Sequence, residues 1–179
     1  MYTRAITLAI LGTILALNGA SAQQQPAPAA PNPLDAIPET MPFNVPYGPP
    51  ISAPRAQAAI QSAAAEATKR GWPLNIAVID SGGDLVAFLR MDGAQLASIA
   101  ISQHKARVAV TYRRPTKAFE DAIQLRDAKY ILSLDDVIAS RGGIPLVEDG
   151  KLIGAIGCSG GTGSQDEVIC TAGAATINK

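Results

Sequence analysis

The chain has little histidine and cysteine, and no excess of charge of either sign. His104 is the only histidine, so a mechanism that needs a histidine pair is excluded within one subunit. The 15 basic residues balance the 15 acidic ones, which argues against nucleic-acid binding through phosphate contacts. Cys158 and Cys170 form neither a Cys-x-x-Cys motif nor a Cys/His grouping, so no structural zinc site is expected.

The N-terminus has the pattern of a secretory signal peptide. Arg4 precedes an apolar run over residues 5–17, and Ala20-Ser21-Ala22 is a small-residue cleavage site. The run is shorter than the roughly 20 residues that cross a bilayer. We therefore expect cleavage after Ala22, a periplasmic or secreted protein, and no integral membrane span in the mature chain.

Residues 23–50 are rich in proline, alanine and glutamine, which is typical of a semi-extended tether. The second half of this tether contains Phe43, Val45 and Tyr47. It could be an arm that binds a partner or a leader packed against the domain. Residues 51–179 have the length of one compact domain.

The order of the predicted elements indicates an α+β domain. Ser52 and Gly71 bound a helix with alanine and isoleucine at helical spacing. Asp149-Gly150 predicts a tight hairpin, and Ser164 with Glu167 predicts the capping box of a closing helix. The other predicted elements are strands at 74–79, 85–89 and 152–156, helices at 95–112 and from Thr116, and an edge strand at 136–139. We expect a five-stranded, mainly antiparallel sheet whose last strand pairs with its first.

The predicted helix 95–112 carries the candidate ligand-binding residues. Two apolar faces are expected, one containing Leu96, Ile99, Ala106 and Val110, and one containing Ala97, Ile101, Val108 and Tyr112. His104, Arg107 and Thr111 fall on a stripe between them. An imidazole between apolar surfaces, with a guanidinium one turn away, is suited to haem iron and its propionates. A partly exposed histidine without a ligand role fits the spacing equally well.

Two further features suit anionic groups. Lys105, Arg107, Arg113, Arg114 and Lys117 form a local basic cluster, which is either a carboxylate site or a solvated face. The turn Ser159-Gly160-Gly161-Thr162-Gly163 precedes a helix and could offer free N–H groups to an anion, or could simply join strand to helix. An exported protein can also form a Cys158–Cys170 disulfide, if the helix approaches the sheet closely enough.

Several segments together resemble the GlcG/HbpS-like haem-binding family, and are similar to the C-terminal domain of PduO-type cobalamin adenosyltransferases. They are YGPPIS, GWPLNIAVIDSGGDLVAFLRMDGA, ASIAISQHKARVAVTYRRPTKAFED, GGIPLVEDGKLIGAIGCSGGTGSQDE and AGAA. The resemblance covers Tyr47 to the C-terminus. It implies a profilin-like, three-layer α/β/α fold with a five-stranded sheet, homo-oligomers, and haem as a ligand.

The leading functional hypothesis is an exported haem-binding protein acting as a carrier, a scavenger or a redox-sensing accessory. His104 is the candidate iron ligand, and Lys105, Arg107, Thr111 and Arg113 are its candidate neighbours. One alternative is a periplasmic enzyme, or enzyme auxiliary, that acts on a small organic acid bound by the basic cluster and by Gly160, Gly161, Thr162 and Gly163. Another is an oligomeric assembly module without a ligand.

Overall fold

The computed structural model describes residues 30–32, 35–41 and 43–178. The chain divides into residues 1–32 and 33–179, and the description below concerns the second unit. The predicted signal peptide lies outside the described residues, as do residues 23–29 of the tether. None of the helices formed by the described part of the chain has the length and apolar character to cross a membrane.

The elements follow the predicted order. They are α1 (Ala53–Arg70), β1 (Asn75–Asp80), β2 (Leu85–Arg90), α2 (Ala97–Thr111), α3 (Lys117–Arg126), a 3-10 segment (Lys129–Ser133), β3 (Gly143–Glu148), β4 (Lys151–Ser159) and α4 (Gly163–Ala174).

The strands form one antiparallel sheet in the order β2-β1-β4-β3. The α+β class and the pairing of the last strand with the first are confirmed. The described sheet has four strands rather than five, because residues 136–139 are not a strand. Val137 and Ile138 pack instead against a cluster around Val108 of α2. Pro145 lies in β3, an edge strand, where its missing N–H removes no central ladder bond.

The sheet is covered by α1 and α4 on one face and by α2 on the other. Ile76, Val78 and Ile156 belong to the α1/α4 core, whereas Ile79 and Ala155 pack against α2. This arrangement is a three-layer α/β/α domain.

Local sequence signals explain the turn before β4 and the start of α4 after it. Asp149 and Gly150 have φ of 49° and 71°, as a tight hairpin of the predicted type requires. The predicted start of α4 is wrong by two residues, because Thr162 rather than Ser164 caps the helix. The Thr162 hydroxyl accepts from Gln165 N, and the Gln165 side chain accepts from Thr162 N, so this pair forms the capping box.

Cys158 and Cys170 form a disulfide that joins β4 to α4, with 5.6 Å between their Cα atoms. Gly173 contributes to the close packing of α4. A Cβ at this position would lie 2.6 Å from Ile156 Cδ1 and 2.8 Å from the Ala59 carbonyl oxygen. A larger residue would therefore push α4 away from both the sheet and α1.

The second half of the tether lies against the domain. Gly48 N donates to Leu152 O, and Leu152 N donates to Pro46 O. The Tyr47 hydroxyl lies within hydrogen-bonding distance of Val110 O and Thr111 O at the end of α2. These contacts favour the packed-leader interpretation over a free partner-binding arm.

Candidate functional site

Helix α2 presents small and polar residues to the sheet. Ser98, Ser102, Lys105, Ala106 and Ala109 are all buried, and a Cβ at Gly157 of β4 would lie 2.0 Å from Ser102 O. The prediction that Leu96, Ala106 and Val110 share one buried face is only partly correct. Ala106 and Val110 are buried, but Leu96 is 67% exposed.

The second predicted apolar face is covered over only part of its length. Val108 and Tyr112 pack with Phe119, Ala128 and Ile131 of the same chain. Ala97 is exposed and Ile101 is half-buried. The N-terminal half of α2 consequently keeps accessible apolar surface, next to His104.

Lys105 does not belong to the His104 surface, contrary to the sequence-based grouping. Its side chain is buried, and its Nζ lies 2.7 Å from Asp166 Oδ2 of α4. The other carboxylate oxygen accepts from Gly161 N at 3.0 Å. Burial raises the pKa of Asp166, while Lys105 and the backbone N–H groups of Gly160 and Gly161 act in the opposite direction. Lys105 is thus part of a buried ion pair between α2 and α4.

His104 borders an open groove of about 290 Å³. We call it the His104 groove, and its lining residues are Ile99, Ala100, Gln103, His104, Arg107 and Asp136. The His104 side chain is 36% exposed. Arg107 follows one helical turn later, so an imidazole and a guanidinium border the same groove, and Ile99 and Ala100 form its apolar part.

The contact with Asp136 orients the imidazole. His104 Nε2 lies 2.9 Å from the Asp136 carbonyl oxygen and 3.4 Å from its Oδ1. A carbonyl oxygen only accepts, so Nε2 carries the proton and donates it to this contact. In the neutral ring Nδ1 then holds the lone pair, which is the form that binds a metal. The chemistry available to the groove is therefore that of an oriented nitrogen ligand.

Thr111 and Arg113 do not line the His104 groove. The Thr111 carbonyl accepts from the Tyr47 hydroxyl. Arg113 Nη1 donates to Val45 O at 3.3 Å, and its guanidinium lies over the Tyr47 ring. Both residues hold the tether against the end of α2. Of the five predicted cofactor-binding residues, the structure brings only His104 and Arg107 together at the groove.

In the glycine-rich turn, two of the N–H groups that were predicted to be free for an anion donate to side chains of the protein itself. Gly161 N donates to Asp166 Oδ1, and Thr162 N donates to Gln165 Oε1. The proposed anion site is thus wrong for these two groups. The turn joins β4 to α4, and Gly160 and Gly161 also border a second groove with Trp72 and Pro73.

Two residues near these sites had no sequence signal that marked them. Asp136 contacts His104 from a loop 32 positions away, and Asp166 reaches Lys105 across 61 positions. Only the tertiary packing of α2 brings these partners together. Across the described residues, no three His, Cys, Asp or Glu side chains form a metal-binding group.

The fold is an α/β/α domain in which helix α2 presents a partly exposed histidine, His104, at an open groove. The family model described as "Haem degrading protein HbpS-like" matches residues 51–175. The chain belongs to this HbpS-like family.

Individual relatives agree with this assignment. Protein GlcG of Escherichia coli K12 is 40% identical over 109 residues, which are 61% of this chain and 81% of GlcG. The solved structure of a PduOC–haem complex has 28% identity and a TM-score of 0.65, covering 72% of this chain and 96% of that one. A double mutant of Streptomyces reticuli HbpS has 27% identity and a TM-score of 0.68, covering 85% and 100%.

Proposed function

We propose that this is an exported haem-binding protein in which His104 would bind the iron. The observation that carries the proposal is the His104 groove itself: a partly exposed imidazole, oriented through Nε2, stands beside Ile99 and Ala100 and one turn before Arg107. The family match and the similarity to a protein crystallised as a PduOC–haem complex support it.

The residues of the groove fit the parts of a haem group. His104 Nδ1 would bind the iron, the apolar side chains would contact the macrocycle, and the exposed Arg107 guanidinium would pair with a propionate. The bound iron would supply redox chemistry. The chain's own contribution is to orient the imidazole through Asp136 and to place a positive charge near the carboxylates.

The groove is open, so a ligand bound there would remain partly exposed to solvent. Leu96, Ala97 and Ala100 are exposed at the N-terminal end of α2. A second copy of this chain placed over that apolar surface would cover the exposed part of the ligand, which is consistent with a homo-oligomer. Such an assembly suits a carrier, a scavenger or a redox-sensing accessory.

The test is a hemin titration of the purified chain, followed through the Soret band. Wild-type protein should give a shifted, saturable band, and His104→Ala should weaken binding and change the band position. Arg107→Gln should weaken binding without moving the band, because the iron ligand is intact. Thr111→Ala is the matched control, since it lies on α2 outside the groove.

The same protein isolated from its export compartment supplies a second readout. Its mass should lack residues 1–22, and its absorption spectrum should contain a Soret band. Identical titrations for wild type and His104→Ala would refute His104 ligation but not haem binding. An unchanged hemin spectrum for wild-type protein would refute haem binding itself, and the organic-acid and assembly hypotheses would then be preferred.

A further inference from the structure

A second cavity, separate from the His104 groove, lies between α3, the 3-10 segment and the tether. It has a volume of about 480 Å³, against about 290 Å³ for the His104 groove. We call it the Arg114 cavity, and its principal lining residues are Phe43, Arg114, Phe119, Ala122, Tyr130 and Ile131. Its volume falls in the range of small-molecule sites, and most of its walls are apolar or aromatic.

Arg114 is the cationic group among these aromatic walls. Its guanidinium carbon lies 3.3 Å from the Phe43 ring centroid and 5.2 Å from that of Phe119. Its Nε donates to Tyr112 O at 3.1 Å. Within residues 35–41 and 43–178, neither terminal nitrogen has a hydrogen-bond acceptor and no carboxylate pairs with this side chain. Two parallel donors are therefore available to a ligand.

The other charges around the cavity leave it positive. Asp121 also lines it, but this carboxylate pairs with Lys117 and lies 3.7 Å from Arg141. Arg126 adds a second positive charge to the lining. Burial lowers the pKa of Arg114, with Arg113 acting in the same direction and Tyr130 and Tyr112 opposing it. A partly desolvated guanidinium gains more from an anionic partner than a fully hydrated one.

We propose that the Arg114 cavity is a binding site for a small aromatic monocarboxylate. The carboxylate would accept from the two terminal nitrogens of Arg114, in the bidentate geometry that guanidinium favours. The ring would lie against Phe119, Ala122 and Ile131, where aromatic stacking and apolar burial both contribute. Phe43 of the tether would close the site over the guanidinium.

This site is independent of haem binding. The Arg114 cavity and the His104 groove have no lining residue in common. Failure of one proposal therefore leaves the other standing, and His104→Ala should retain the carboxylate site.

The experiment is isothermal titration calorimetry of the full purified chain with three probes. Benzoate has both the carboxylate and the ring, acetate has only the charge, and benzyl alcohol has only the apolar body with a neutral polar group. We expect saturable millimolar or tighter binding of benzoate and at least tenfold weaker binding of each of the others. Absence of benzoate binding, or equal binding of acetate or benzyl alcohol, would overturn the proposal without any variant.

Variants then locate the site. Arg114→Gln should weaken benzoate binding about 10- to 100-fold, as expected for losing hydrogen bonds to a charged group. Arg114→Lys should fall between it and wild type, because it keeps the charge and loses the paired donors. Arg90→Gln removes the same charge from the exposed end of β2 and should bind as wild type. Equal affinities for Arg114→Gln and Arg90→Gln would contradict the assignment.

Discussion

Replacing Lys105 by methionine tests whether this side chain is a buried partner of Asp166. Met preserves much of the apolar stem and removes the ammonium group, which lies 2.7 Å from Asp166 Oδ2 in a contact that is 2% exposed on both sides. Removing one member of a buried ion pair typically costs about 3–5 kcal/mol, because the remaining charge stays desolvated. That is a large fraction of the roughly 5–15 kcal/mol that stabilises a domain.

The assay is equilibrium urea unfolding of wild type, Lys105→Met, Asp166→Asn and the double variant. With a slope of about 2 kcal/mol per molar urea, Lys105→Met should lower the midpoint by about 2 M. The double variant should cost much less than the sum of the two singles, since neither charge is then left unpaired. Hemin binding per folded molecule should remain that of wild type, because Lys105 is not in the His104 groove.

The pH dependence gives this prediction a second readout. Burial raises the pKa of Asp166 above its ordinary value of 3.8, so the folded state binds a proton more tightly than the unfolded state does at this residue. Lys105→Met is therefore most destabilising at neutral pH, where Asp166 is left as an unpaired buried carboxylate. The destabilisation becomes smaller as pH falls through the folded-state pKa of Asp166, because protonation neutralises this carboxylate. Asp166→Asn should show no such relief. A cost below about 1 kcal/mol for Lys105→Met at neutral pH would refute the buried pair.

Two further predictions concern the links that hold α3 and α4. Reducing the Cys158–Cys170 disulfide, which closes a loop with a sequence separation of 12, should cost about 3 kcal/mol. Thermal unfolding with and without reductant measures this, and equal midpoints would contradict it; the Cys158→Ala/Cys170→Ala variant, which should not respond to reductant, is the control. Burial alone would raise the pKa of Glu120, but the hydrogen bonds from Arg141 outweigh burial and lower this pKa. The Glu120 carboxylate therefore stabilises the fold above its unfolded-state pKa, and this stabilisation is lost as pH falls through its folded-state pKa. Between about pH 5 and pH 3 the stability of Glu120→Gln should therefore fall less steeply than that of wild type, and parallel curves would refute this.

The parts of the fold that could be predicted were those determined by residues adjacent in the sequence. Asp149-Gly150 specifies a turn with two positive φ values, and Gly71 ends α1 in the left-handed conformation. The apolar run of β4 predicts a strand buried on both faces, and it lies between β1 and β3. The fifth strand was wrong because short apolar stretches such as Val137-Ile138 fit an edge strand and a packed loop equally well.

The candidate site was less predictable because its contacts are long-range. Helical periodicity correctly placed His104 and Arg107 on one stripe, but it treated Lys105 as a surface cation. A lysine is rarely buried unless it is paired, and its partner Asp166 lies on another helix. The same limitation applies to Arg114, whose aromatic neighbours include Phe43 from the tether.

The close contact between α2 and β4 explains why the histidine faces outward. Ser102 approaches Gly157 so closely that a Cβ there would overlap its carbonyl oxygen, and Gly143 meets the Lys105 carbonyl in the same way. At these two points the backbone of α2 lies against the sheet, and the side of the helix around Ser102 and Lys105 is buried. His104 and Arg107 are thereby directed toward the surface, where Ile99 also lines the groove. The packing of α2 against the sheet, rather than a local sequence motif, creates the groove in which a ligand could reach the His104 imidazole.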